Sequence, residues 1–188
     1  ARCHAVSTSA NSAEIVNRMD SDTVLFGPDW NLAQYIKGYT EKTVIPIPKL
    51  GFCPVHQLFN REGVLKIKKV HRDAEVLAHP ECPPEVCAVA NFVGSTSKMC
   101  KQAIVSKAEK FIVATEVGLL HRMKKERPDA VFIPAYDEAI CAHMKLHTVE
   151  KLYLSLKEER YEVKVPRKIA TSAKSAVDFM LGTRETLA

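Results

Sequence analysis

Five short runs set the terms for any fold this chain can adopt: TVLFG (23–27), TVIPIP (43–48), VLAH (76–79), FIVAT (111–115) and VFIPA (131–135). Each is four to six residues long, apolar at consecutive positions, often β-branched, and closed off by proline, glycine or polar residues. Strands apolar on both faces belong in parallel sheets covered by helices rather than in half-wet antiparallel ones. The spans between them carry helical spacing, as in Leu32 and Ile36, Ile104 and Ala108, or Leu119 and Met123. Such alternation predicts an α/β layered architecture. From His147 onward only helices are expected. Val149, Leu152, Tyr153 and Leu156 form one stripe, and Ile169, Ala173, Ala176, Phe179 and Met180 form another that stops near Gly182. The charged stretch 157–168 reads as a solvated helix end and turn.

With 188 residues, 46% hydrophobic and 26% charged, the chain is long and apolar enough to bury a core, which excludes disordered and cysteine-stapled classes. The net charge of +5 comes from scattered Lys and Arg rather than a basic stripe, so no nucleic-acid partner is expected. No apolar stretch approaches the roughly 20 residues needed to span a bilayer, and no membrane partner is expected. No signal-peptide pattern opens the chain, so the sequence reading places it in a reducing, cytoplasmic location. There, its six cysteines read as buried thiols or metal ligands rather than disulfides.

Ligand crevices in open α/β sheets lie beyond the carboxyl ends of the strands. Polar residues at that address are Asp29, His79 with Glu81, Thr115 with Glu116, and Ser95, Thr96 and Ser97 opening a helix after NFVG. The free N–H groups at that helix start could hold a phosphate or carboxylate, whereas the plainer reading of Ser95 or Thr96 is an N-cap. Cys53 in GFCPVHQ and Cys141 in DEAICAHMK both follow strands. Cys53 and His56 have C-x-x-H spacing that could chelate zinc, but a second close pair is missing. Cys82 and Cys87 flank a proline pair at a helix start, and Cys100 reads as core. VLFGPD (24–29) and VLAHPE (76–81) each place an acid after a proline at a strand end. Two repeated α/β units or shared turn chemistry would both account for that echo.

The segments TSAN (8–11), FGPDWNLAQYI (26–36), HPECPPEV (79–86), GSTS with Lys101 four residues beyond Ser97, FIVATEVGLLHRMKKERPD (111–129), FIPA (132–135), CAHMKLHTVEKL (141–152) and VPRKIA (165–170) occur in an order that resembles the quinolinate synthase (NadA) family. The resemblance implies repeated three-layer α/β/α domains with parallel sheets around a pseudo-threefold axis, followed by C-terminal helices. On this reading residues 1–53 are the remainder of the second domain, 54–141 the third, and 142–188 the closing helices. The first domain is absent, and with it the surface that the closing helices normally cover. The implied activity is condensation of iminoaspartate with dihydroxyacetone phosphate to quinolinate in NAD biosynthesis, a transferase reaction that uses a 4Fe-4S cluster.

Matched motif to motif, Cys53 and Cys141 are implied as cluster ligands and Cys82 is not. His79 and Glu81 are implied as the catalytic pair, with Ser9, Ser95 and Thr96 as further substrate contacts. The third cysteine ligand has no counterpart here, so the chain can be apo and can be an inactive fragment. Implied partners are the two small-molecule substrates, the missing N-terminal portion and an L-aspartate oxidase. Two alternatives stay open on the residues alone. One is a noncatalytic anion-binding α/β module using Ser95 and Thr96 without a cluster; the other is a small zinc protein using Cys53 and His56.

Overall fold

A computed structural model describes residues 3–182. Residues 9–140 form one compact unit, and residue 141 onward joins the segment up to Thr8 in a second.

The larger unit is built as alternating elements. Helix α1 (Ser12–Asn17) precedes β1 (Thr23–Phe26), α2 (Trp30–Lys37) and β2 (Thr43–Pro46). Strands β1 and β2 pair in parallel, with Thr23 opposite Thr43 and Phe26 opposite Pro46. After a 3-10 turn (His56–Leu58) come α3 (Arg61–Val70), β3 (Glu75–Ala78), α4 (Pro84–Cys87), β4 (Phe92–Val93), α5 (Thr96–Val105), β5 (Lys110–Ala114), α6 (Leu119–Glu126) and β6 (Val131–Pro134). These four strands make a second, all-parallel sheet in the order β4-β3-β5-β6. The α/β class with parallel sheets is therefore as expected. All five apolar runs are strands, and the two-residue β4 is an additional one.

The cores follow from the same patterning. Leu77, Phe111 and Val113 on the second sheet pack with Met99, Cys100 and Ala103 of α5 and Met123 of α6. The next residues along β3 and β5, Val76 and Ile112, point to the opposite face and are also fully buried. That two-sided burial is what a central parallel strand requires. The Arg127 guanidinium lies 5.5 Å from the Phe111 ring centroid and bonds the Ala103 and Ser106 carbonyls, tying the carboxyl end of α5 to the start of β5. The first sheet has a smaller core of Val24, Phe26 and Val44 against Leu32, Ala33 and Ile36 of α2. Its other face is open: Leu25 and Ile45, paired across β1 and β2, are exposed.

One expected stripe is corrected. Helix α5 ends at Val105, where the backbone of Ser106 turns extended, so Ala108 lies in the connection to β5 and Ile104 faces solvent. The Ser106 hydroxyl explains the stop, because it accepts the Ala108 N–H at 3.0 Å and donates to Glu75 Oε1 at 2.8 Å.

The smaller unit contains a 3-10 turn (Met144–Leu146), α7 (Val149–Glu158) and α8 (Arg167–Leu181), as the C-terminal pattern anticipates. Thr148 caps α7 through the Lys151 N–H at 3.2 Å, and α8 stops at Gly182, whose φ of 73° is the left-handed cap geometry. The α7 stripe faces solvent throughout, and α8 buries Ala176. No helix among the described residues is long and apolar enough to cross a membrane.

Candidate functional site

In the larger unit, the chemistry gathers in the loops that leave β1, β2, β3 and β5 at their carboxyl ends. Asp29, three residues beyond the end of β1, caps α2: its Oδ1 accepts the Leu32 N–H at 2.7 Å. Its other oxygen accepts the Cys53 N–H at 2.8 Å. The loop carrying Cys53 is seated by close backbone approach as well, since Trp30 N–H donates to the Gly51 carbonyl at 2.7 Å. A Cβ on Gly51 would stand 1.9 Å from the Pro28 carbonyl oxygen, so only glycine fits. Cys53 is thereby fixed at the mouth of the cleft, half-buried, with His56 one 3-10 turn further in.

His56 is buried and its two ring nitrogens have different surroundings. Nε2 lies 3.0 Å from Thr115 Oγ1, the first residue beyond β5. Nδ1 lies 3.2 Å from Glu81 Oε2, at ion-pair distance. The His56 ring stacks on His79, with centroids 4.4 Å apart and planes 11° from parallel. His79, the residue after β3, places Nε2 3.2 Å from Ser9 Oγ and accepts the Glu81 N–H on Nδ1 at 3.3 Å. The Glu81 carbonyl accepts from the Asn31 amide at 2.8 Å, which anchors the H-P-E turn to α2.

Charge is distributed unevenly over this group. Burial alone would push His56 down, but the Cys53 thiol and the Glu81 carboxylate beside it outweigh that and raise it to about 9. Burial opposes ionisation of Cys53 and Glu81 too, yet His56 holds both below their ordinary values. His79 goes the other way. Burial and the neighbouring His56 charge lower it to about 4, so it is neutral near pH 7. Burial also raises Asp29, against the pull of its two backbone N–H donors. The cleft thus holds a neutral imidazole stacked on a charged one, beside an ionised carboxylate and a thiol poised to ionise.

Of the residues singled out from the sequence, Cys53, His79, Glu81 and Ser9 converge in this cleft. Ser95 lies beyond β4, which pairs with β3. It is the N-cap of α5, its Oγ accepting the Lys98 N–H at 3.4 Å, and Thr96 is the exposed first residue of the helix. Cys141 lies in the smaller unit, half-buried, its carbonyl accepting the Lys145 N–H at 3.1 Å. No disulfide joins the six cysteines. The Cys82 thiol donates to the Ala114 carbonyl at 3.3 Å, and the Cys87 thiol lies 3.7 Å from the carbonyls of His79 and Cys82, so both point into backbone rather than the cleft. Glu116 turns back to its own loop, where Oε2 accepts the Gly118 N–H at 2.7 Å.

Sequence reasoning passed over Asn31, and it paired His56 with Cys53 alone. One donor atom each from Cys53, His56 and Glu81 lie within 4.8 Å of one another, so the donor absent from the C-x-x-H spacing comes from the H-P-E turn. The available signal was the strand-end address that Cys53 and Glu81 share.

The fold and cleft define an α/β protein whose reactive groups sit at the carboxyl ends of parallel strands. Residues 1–182 match the family described as Quinolinate synthetase A protein, and the chain belongs to that family. A quinolinate synthase of Methanothermobacter thermautotrophicus is 46% identical over 178 residues, covering 95% of this chain and 58% of that protein. Those of Pyrococcus horikoshii and Thermotoga maritima are 43% and 42% identical over 174 and 172 residues, each spanning 57% of the relative. The chain therefore spans a little under three fifths of the length of the curated relatives it matches.

Proposed function

We propose that the chain is part of a quinolinate synthase, an enzyme that condenses iminoaspartate with dihydroxyacetone phosphate and releases phosphate and water. Its first-domain counterpart would have to be supplied from outside residues 1–188. The observation that carries this reading is the pairing of a neutral, buried His79 with an ionised Glu81 on one strand-end turn, within a chain of that family. The reaction needs protons moved on and off carbon and nitrogen. A carboxylate held ionised near pH 7 can accept one, while a neutral imidazole can orient a carbonyl or carboxylate without competing for it. Ser9, within reach of His79 Nε2, sits where it would fix that orientation. Ser95 and Thr96, at the start of the ten-residue α5, are proposed to receive a phosphate or carboxylate.

The donor chemistry also fits an iron-sulfur cluster. Cys53 is the cleft thiol with a lowered ionisation point, whereas Cys82 and Cys87 are spent on backbone carbonyls. Cys53 and Cys141 would supply two thiolates and the missing portion the third. When bound, a three-thiolate 4Fe-4S cluster offers one open iron as a Lewis acid toward a carboxylate or hydroxyl. The pseudo-threefold repetition of domains, with boundaries after residues 53 and 141, belongs to the same reading.

The test uses the complete protein, reconstituted anaerobically with iron and sulfide. Cys53→Ser and Cys141→Ser should each abolish the broad visible absorbance. Glu81→Gln should leave the absorbance intact and cut quinolinate formation by about 100-fold, the lower range for loss of a general acid-base group. Unchanged spectra in both cysteine variants, or near-normal turnover of Glu81→Gln, would overturn the assignments.

A further inference from the structure

The chain carries one structural unit twice. Strand β1, helix α2 and strand β2 are followed by Cys53, a 3-10 turn and α3, just as β5, α6 and β6 are followed by Cys141, a 3-10 turn and α7. Cys53 stands as far beyond Pro46 as Cys141 stands beyond Pro134, and α3 and α7 are both ten-residue helices that begin at equal distances after those cysteines. Their caps match as well: Asn60 accepts the Gly63 N–H at 2.8 Å, and Thr148 accepts the Lys151 N–H at 3.2 Å. In register, Leu25 sits opposite Ile45 where the other unit has Ile112 opposite Ile133. The second sheet is clothed at that position. Ile112 is fully buried on the face away from α5 and α6, and α3 packs against β5 with Val64 buried.

We propose that the bare face of the first sheet receives a second copy of this chain, which lays its α7 across Leu25 and Ile45 as α3 lies on β5. Leu152 holds the place in α7 that Val64 holds in α3, yet it is exposed together with Tyr153 and Leu156. The chain thus presents a helix stripe without a sheet and a sheet face without a helix, and the repeat shows that the two kinds of surface fit. Thr23 and Thr43 flank Leu25 and Ile45 on the same face, so no charge on the sheet has to be desolvated. The contact joins two different patches and is heterologous. A ten-residue helix on two strands covers less than the about 800 Å2 per partner of a standard-size interface. The association therefore belongs to the weak, concentration-dependent class, and the dilute chain is monomeric.

The inference does not depend on the synthase reading, which is tested by cluster absorbance and turnover. The experiment is sedimentation velocity of the 188-residue chain over a concentration series, with reductant present so that the exposed Cys3 forms no crosslink. The average mass of the unaltered chain should rise with concentration. Leu25→Lys blocks the face and Leu152→Lys blocks the helix, so each should stay at the mass of a single chain, with circular dichroism confirming the fold. Leu156→Lys repeats the helix block at a separate exposed position. Mixed in equal amounts, the Leu25→Lys and Leu152→Lys chains should associate again into a species of twice the single-chain mass, because the intact α7 of one meets the intact face of the other. Self-association that survives both helix variants, as packing of sheet on sheet would give, overturns the proposal. So does a mixture that stays monomeric. An unaltered chain that is monomeric at every concentration overturns it too, and is the result expected if the face belongs to the part of its relatives that this chain does not span.

Discussion

Asp29 does two jobs with one carboxylate: it caps α2 and seats the backbone of Cys53. Asp29→Ala loses both, and should destabilise the chain by about 1–3 kcal/mol, combining a lost N-cap with a lost bond to a charged acceptor. Asp29→Asn keeps one oxygen acceptor and should recover roughly half of that loss, read as urea midpoints. Equal stability of the three proteins would mean that water replaces both bonds. Asp29 was legible as a strand-end acid, because strand ends announce themselves in a parallel sheet. Its second bond was not, since nothing local in GFCPVHQ shows which carboxylate meets an amide 24 residues away. His56 illustrates the same limit. The C-x-x-H spacing exposes two donors, and the third arrives only when the H-P-E turn folds over them.

Elements were legible in proportion to the continuity of their apolar pattern. The five strands stood out because both faces are buried. Strand β4 did not, since Phe92–Val93 is too short to show a period, and it is recognised only by its pairing with Leu77 and Ala78. The Ile104 and Ala108 spacing misled because a serine side chain ends the helix between them. Helical periodicity also says nothing about what a stripe faces. Met123 on α6 is fully buried in the second sheet's core, whereas Leu152 on α7 is 61% exposed. Met123→Ala should therefore cost about 2–5 kcal/mol, and Leu152→Ala no more than about 0.5 kcal/mol. Urea unfolding followed by circular dichroism checks both, and comparable losses would show that the α7 stripe is covered in solution.

At the scale of the molecule, the two sheets differ in how completely they are clothed. The second has buried residues on both faces, while the first presents Leu25, 63% exposed, beside Ile45. Parallel sheets rarely leave a face in water, and a contiguous apolar surface favours association. The prediction is that Leu25→Lys lowers light scattering of the concentrated chain without altering its circular dichroism, because the substituted position touches no core cluster. Unchanged scattering would mean the face is already shielded.

That bare face also governs how the chain behaves toward lyotropic salts. Sulfate is excluded from protein surfaces and strengthens apolar contact. The unaltered chain should therefore precipitate at a lower ammonium sulfate concentration than Leu25→Lys and elute later from a phenyl column, two bench signatures of a sheet clothed on one side only.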